Sequence, residues 1–319
     1  MTHPALHPDP MPHLALAYLL AALLGGRLQP SPPRFDGEAA MRYVRAQVAM
    51  GPRVPGSEGH RRAGAWLVAE MRKRADTVVV QEWTHVTARG DSLPMRNVLA
   101  RFRPRDRDRV LYVAHWDTRP FADGAAEPHR RALAVPGAND GASGVALLLA
   151  VGDALRRSPP ALGVDLLLVD GEDYGDFARR EDVLVGSTWF ARHPPEAGYR
   201  PRFGVLWDMV GDRDLQIYQE GHSARAAPEL VERVWRVAEA LGHGERFIAR
   251  VRHTIDDDHL PLLRAGLPVI AVVDYDYPRP PRFGAPRVSY HHTAEDDVDK
   301  VSAASLQVVG DVALRLLER

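Results

Sequence analysis

The chain has 319 residues, 45% of them apolar and 26% charged, with a formal net charge of −1. That length holds one large α/β domain or two small ones, and the near-zero charge gives no electrostatic reason to expect nucleic acid or an anionic membrane surface as a partner. Cysteine is absent, so disulfides, thiolate-held zinc and thiol nucleophiles are excluded, and any metal must be held by His, Asp or Glu.

Residues 13–26 (HLALAYLLAALLGG) form an apolar run too short to span a bilayer. It is built like the h-region of a signal peptide, although the first basic residue, Arg27, follows it instead of preceding it. A leader over residues 1–34 and an extracytoplasmic (periplasmic or secreted) protein are the expectation. A buried first helix in a cytoplasmic protein is the alternative. Pro30, Pro32 and Pro33 break the chain, and a single catalytic domain is expected over residues 35–319.

Residues 36–50 have the pattern of a helix with Asp36 as N-cap, residues 51–56 that of a Gly/Pro loop, and residues 60–74 that of a second helix. The β-branched run 77–83 and the segment 96–102 are expected to be neighbouring strands. The alternating charges of residues 101–109 (RFRPRDRDR) suggest a solvated turn. Short apolar strands are expected at 110–114, 164–169, 202–206 and 269–273, with helices at 142–156, 228–241 and 301–317. Strands alternating with helices make an α/β fold: a mixed, mostly parallel central sheet with helices on both faces. In such sheets ligands bind beyond the carboxyl ends of the strands.

Those ends carry metal-ligand residue types. His115 and Asp117 follow one strand, Asn139 and Asp140 precede the 142–156 helix, Glu172 and Asp173 follow another strand, Asp208 follows a third, and His292 stands late in the chain. One Asp at a strand end means little, since Asp caps turns and helices. Five such sites in one pattern are different, because buried carboxylates repel one another unless a cation or proton neutralises them. Carboxylate and imidazole without thiolate suit a catalytic zinc with an open coordination position. Beyond the strand, a turn can aim one of Glu172 and Asp173 at a metal and the other at a substrate. Two decoys fall away: Gly141-Ala-Ser143-Gly144 lacks the residue that a nucleophile elbow needs between Ser and the second Gly, and no Gly-rich phosphate loop ending in Lys-Ser or Lys-Thr is present.

In this order, His-x-Asp, Asn-Asp-Gly-Ala-Ser-Gly, Glu-Asp, a lone Asp and His-Thr resemble the zinc aminopeptidase and glutaminyl cyclase superfamily from about Phe35 to the C-terminus. The stretches at 51–57, 114–123 and 170–176, with Asp257, Asp258 and His259, are most similar to bacterial glutaminyl cyclases; aminopeptidases usually have Ser or Thr where Asp257 stands. The resemblance implies one zinc held by Asp140, Asp173 and His292, Glu172 as proton shuttle, and Asp208 and Asp257 as a supporting acidic pair. In the aminopeptidase branch, His115 and Asp208 would hold a second zinc with Asp140 bridging. The implied activity is conversion of an N-terminal Gln of a peptide to pyroglutamate with release of ammonia; the alternative is hydrolysis of N-terminal residues. No expected ligand is missing, which argues against a binding protein with a decayed site. His259 is expected to hold the loop that presents Asp257. Two departures stand out. Cyclases usually have Trp before the zinc His, where this chain has His291, and bacterial members tend to have Trp near Val183. These departures either count against the cyclase branch or imply a different pocket built from Trp116, Phe121, Tyr174 or Tyr290, although aromatics of this kind belong more often to the core or the rim.

Overall fold

A computed structural model describes residue 1 and residues 34–275 and 289–318. The leader expected at residues 1–34 thus lies almost wholly outside the described residues. The first helix, α1 (Gly37–Val48), is capped by Asp36, whose Oδ1 accepts a hydrogen bond from the Ala39 N–H at 2.8 Å. The second, α2 (Glu58–Arg72), is capped by Ser57. Both ends lie where the cap residues put them, because a side-chain oxygen there satisfies amides left open by the first turn.

Six strands form the main sheet: β1 (Thr77–Val86), β2 (Ser92–Phe102), β3 (Arg109–His115), β4 (Gly163–Val169), β5 (Phe203–Asp208) and, after two others, β8 (Val269–Val273). Their order is β1-β2-β4-β3-β5-β8. The pairs β1/β2 and β2/β4 are antiparallel; β3/β4, β3/β5 and β5/β8 are parallel. The mostly parallel sheet expected from the alternation is present. A small parallel pair, β6 (Ile217–Gln219) and β7 (Phe247–Val251), stands apart.

Strand parity divides the core in two. Val110, Tyr112 and Ala114 of β3 pack on one face with Val205 and Trp207 of β5, beneath α1, α2, α3 (Ala142–Arg157), α6 (Pro228–Ala240) and α8 (Ala303–Arg315). Leu111 and Val113 pack on the other face with Leu206, Phe190 of α4 (Val185–Arg192) and Leu262 of α7 (His259–Arg264). Burial on both faces is why these strands are continuous apolar runs instead of alternating ones. The strong central helix α3 is buried almost all round, as a helix sandwiched between a sheet and other helices must be. Its Gly144 sits so close to β5 that a Cβ there would lie 2.1 Å from the Trp207 carbonyl oxygen. Helices α4 and α7, the short α5 (Gly221–Ala226) and the β6/β7 pair have no counterpart among the expected elements.

The charged stretch at 101–109 is a turn in its middle, but its ends correct the solvated reading. Arg101 and Arg109 are buried. Arg109 donates from Nε and Nη2 to Asp165 at 2.7 Å each, and Arg101 Nε donates to the same carboxylate at 3.1 Å. A fully buried aspartate on β4 requires these cations, and period-2 alternation in the sequence does not say which charges turn inward.

Candidate active site

The carboxyl ends of β3, β4 and β5 meet the N-terminus of α3 around a cavity of about 660 Å³. Asp140, Glu172, Asp173, Asp208, Asp257 and His292 all line it, as do Arg119, Phe177, Tyr275 and His291. His115 stands behind this wall, fully buried. Register explains the first pairing. Val113 of β3 pairs with Leu206 of β5, so two residues on, His115 and Asp208 stand level and on the same face. His115 Nε2 lies 3.1 Å from Asp208 Oδ1 and 3.0 Å from Asp140 Oδ1. Gly141 permits this approach, since a Cβ there would meet the His115 ring at 2.6 Å.

Asp140 faces two ways. Its Oδ1 is turned to His115, while its Oδ2 lies 3.7 Å from His292 Nε2 and 3.6 Å from His291 Nε2. His292 Nε2 is also 3.4 Å from Asp173 Oδ1. Two groups have ligand atoms mutually within 4.8 Å: His115, Asp140 and Asp208, and Asp140, His291 and His292. Asp173 adjoins the second group but also accepts a hydrogen bond from Arg119 Nη1 at 2.7 Å. The two imidazole–carboxylate sets sharing one aspartate are a donor arrangement that fits a divalent cation without sulfur.

Several residues fix this geometry in roles that the sequence did not assign to them. Asp117 is fully buried and accepts from the Glu172 and Asp173 N–H groups at 3.1 Å each, so it shapes the turn that aims both carboxylates. Asp296 does the same for the α3 entry, accepting from Asn139 N at 2.8 Å and Asp140 N at 3.1 Å. Arg53, fully buried in the 51–56 loop, donates to the carbonyls of Trp116, Pro136 and Gly137 at 2.7–2.9 Å. That is the physical use of the Gly-Pro-Arg-Val-Pro stretch: it ties the segments after β3 and before α3 together.

Asp257 is buried with its Oδ1 accepting from the Asp258 N–H at 2.6 Å, and its Oδ2 has no hydrogen-bond partner among the described residues. His259, expected to hold this loop, is fully buried beside it and meets it as an ion-pair neighbour of Glu220 without a hydrogen bond among the described residues. Its Nε2 lies 3.2 Å from Glu220 Oε2, and Glu220 also accepts from the Ile255, His222 and Ser223 amides. The four aromatics weighed for a pocket wall fall in the core or at the surface, and none of them lines this cavity. Trp116 is buried against His60, in a separate cavity beside β1 and β2. Phe121 is exposed, Tyr290 is buried and Tyr174 packs on a satellite core. Among the described residues, the Phe and Tyr rings that line the cavity are Phe177 and Tyr275. Aromatic residue type gave no direction, and only the loop paths placed them.

Crowding dominates the electrostatics. Burial, with Asp173, Asp257 and Asp258 nearby, pushes Glu172 well above its usual range against the pull of His115. Burial likewise lifts Asp257 well above its usual range, helped by Asp208 and Asp258. Burial and Asp140 raise Asp173 to about 7 despite His292 and Arg119. Asp140 goes the other way: burial would raise it, but the imidazoles of His115, His292 and His291 hold it below the carboxylate range. His115, though desolvated, is raised well above the histidine range by Asp208, Asp117 and Asp140. So many buried carboxylates with so few cations constitute a site that gains from a bound positive charge.

The fold and this donor set define a metal-dependent α/β protein of the exopeptidase type. The model of peptidase family M28 matches residues 97–317, and the chain belongs to that family. Among solved structures, a glutaminyl cyclase from Bacteroides thetaiotaomicron bound to N-acetylhistamine is 35% identical, with a TM-score of 0.83, covering 90% of this chain and 99% of that one. A leucine aminopeptidase precursor from the same organism is 34% identical with a TM-score of 0.84, covering 90% and 98%. Glutaminyl-peptide cyclotransferase of Drosophila melanogaster is 23% identical over 278 residues, 80% of this chain and 73% of that protein. Among the described residues no helix is long and apolar enough to cross a membrane.

Proposed function

We propose that the chain is a zinc-dependent glutaminyl-peptide cyclotransferase, with peptides bearing an N-terminal Gln as substrates. The observation that carries this reading is Asp257: a buried carboxylate in the cavity wall with Glu172 and Asp208, one oxygen of which has no hydrogen-bond partner among the described residues. An acidic side chain at this place in the wall suits a substrate N–H donor, and similarity to bacterial glutaminyl cyclases supports the same choice.

Asp140, Asp173 and His292 would hold the zinc, which when bound polarises the γ-amide carbonyl as a Lewis acid. Glu172 takes a proton from the substrate's α-amine as that nitrogen attacks the γ-carbon. It returns the proton to the departing amide nitrogen, so that the C–N bond breaks with loss of ammonia. Asp208 and Asp257 accept hydrogen bonds from the amine and the leaving nitrogen and orient them. The reaction is intramolecular, so holding the chain end folded is a large share of the rate gain. Phe177 and Tyr275 give the apolar contact for the side-chain methylenes.

A second reading is aminopeptidase action with a metal at His115, Asp140 and Asp208, whose ligand atoms are close enough to share one. Zinc-loaded protein incubated with a Gln-peptide and a Leu-peptide, with products followed by mass, distinguishes the two. Loss of ammonia from the Gln-peptide without cleavage is the expected result. Release of a free N-terminal residue from either peptide would establish the second reading instead.

A further inference from the structure

His291 stands where the resemblance leads one to expect a pocket aromatic, but its geometry is that of a ligand. Its Nε2 is 3.6 Å from Asp140 Oδ2, the same oxygen that His292 Nε2 approaches at 3.7 Å. With zinc bonds of about 2.0–2.1 Å, the ligand atoms of a tetrahedral site stand about 3.3 Å apart. The separations His291–Asp140 and His292–Asp140 (3.6 and 3.7 Å) are within a few tenths of that edge, and these three residues have ligand atoms mutually within 4.8 Å; Asp173 lies outside that group and adjoins it only through His292, at 3.4 Å.

Consecutive side chains in extended backbone diverge. Here His292 adopts a left-handed conformation with φ of 54°, and the two rings lie with centroids 3.7 Å apart. The loop is built to hold them so. Gly124 N donates to the His292 carbonyl at 3.0 Å, and a Cβ on Gly124 would clash with the His291 carbonyl oxygen at 2.4 Å. Thr293 Oγ1 donates to the Tyr290 carbonyl at 2.7 Å. There is also a reason for another donor at this metal. Asp173 shares Oδ1 with the Arg119 guanidinium, which withdraws electron density from the carboxylate and weakens it as a ligand.

We propose that His291 is a fourth protein ligand of this metal, closing its coordination in the substrate-free enzyme and giving up its place when substrate enters. This rests on the zinc reading above. Ligand exchange needs no oxidant or group transfer, only rotation of an imidazole on the cavity rim, where its side chain is 24% exposed.

The test uses the full chain stripped of metal and reloaded with cobalt(II), compared with His291→Phe and His291→Ala. Circular dichroism selects the variant that keeps the fold. The expected result is a changed cobalt d–d spectrum, reversal toward the wild-type spectrum when free imidazole is added to His291→Ala, and zinc affinity lowered at least about tenfold in competition with a chelator. A cobalt spectrum identical to that of the wild type, with unchanged affinity, would overturn the proposal while leaving the three-ligand zinc site standing. Failure of the wild-type chain to take up zinc or cobalt at all would instead overturn the zinc reading itself.

Discussion

Two buried carboxylate sites sit at opposite ends of the same parallel strands. At the amino end of β4, Asp165 is fully buried and receives bonds from Arg109, Arg101 and the Tyr199 hydroxyl, the last at 2.8 Å. Its charge is answered within the fold. At the carboxyl end, Asp140, Glu172, Asp173, Asp208 and Asp257 crowd one cavity with Arg119 and three imidazoles as their neighbours. Burial is alike at the two sites, but charge balance is not. A carboxylate matched by its own guanidinium groups serves the fold, whereas a cluster left short of positive charge is arranged for something that arrives from outside.

That contrast can be broken by substitution. Glu172→Gln should lower kcat on Gln-peptides by roughly 10²- to 10⁴-fold with an unchanged or higher melting temperature, because it removes a proton carrier and relieves repulsion; steady-state kinetics and calorimetry on one preparation check both halves. Asp165→Asn should do the reverse. It leaves buried arginines half-paired at a cost of about 3–5 kcal/mol, lowering Tm by on the order of 10 °C, while kcat per folded molecule is unchanged. If both variants lost stability equally, the contrast between the two sites would be wrong.

Metal sharpens the comparison from the other side. Adding zinc at about 1,000 times its dissociation constant to stripped protein should stabilise it by about 4 kcal/mol, and by a similar amount in Asp165→Asn, since the two sites are independent. Thermal melts with and without a chelator measure this. The smallest effect concerns the brace of the Asp257 loop. Burial would raise Glu220, but the neighbouring His259 ring and the bonds from His222 and Ser223 hold it down at about 2. A carboxylate depressed in the folded state contributes stability that is fully present above its unfolded pKa of about 4.3 and is lost as pH falls through the folded value. Stability measured between pH 5 and pH 2 should therefore decline less steeply in Glu220→Gln, from a lower starting level.

The residues of the site were legible because chemistry restricts them. Without cysteine, only His, Asp and Glu could serve, and their recurrence at strand ends pointed to one place in an α/β sheet. The supporting roles were not legible in the same way. Asp117 and Asp296 act by accepting backbone amides of other segments, and an aspartate in a loop looks alike whether it caps a turn or shapes a catalytic one. Arg101 and Arg109 looked solvated because alternation along a strand says that neighbours face opposite ways, not which face is filled.

By itself, then, the sequence determined the alternation of strands and helices, the cap at Asp36, and the ligand types at the strand ends, all of which depend on neighbours within a few residues. Only the tertiary structure decided that His115 stands level with Asp208, that Asp140 divides its two oxygens between two imidazole sets, and that His291 turns toward that aspartate beside His292. Those are contacts between segments 25 to 150 or so positions apart along the chain, set by strand register and by the path of a loop, and no local pattern encodes them.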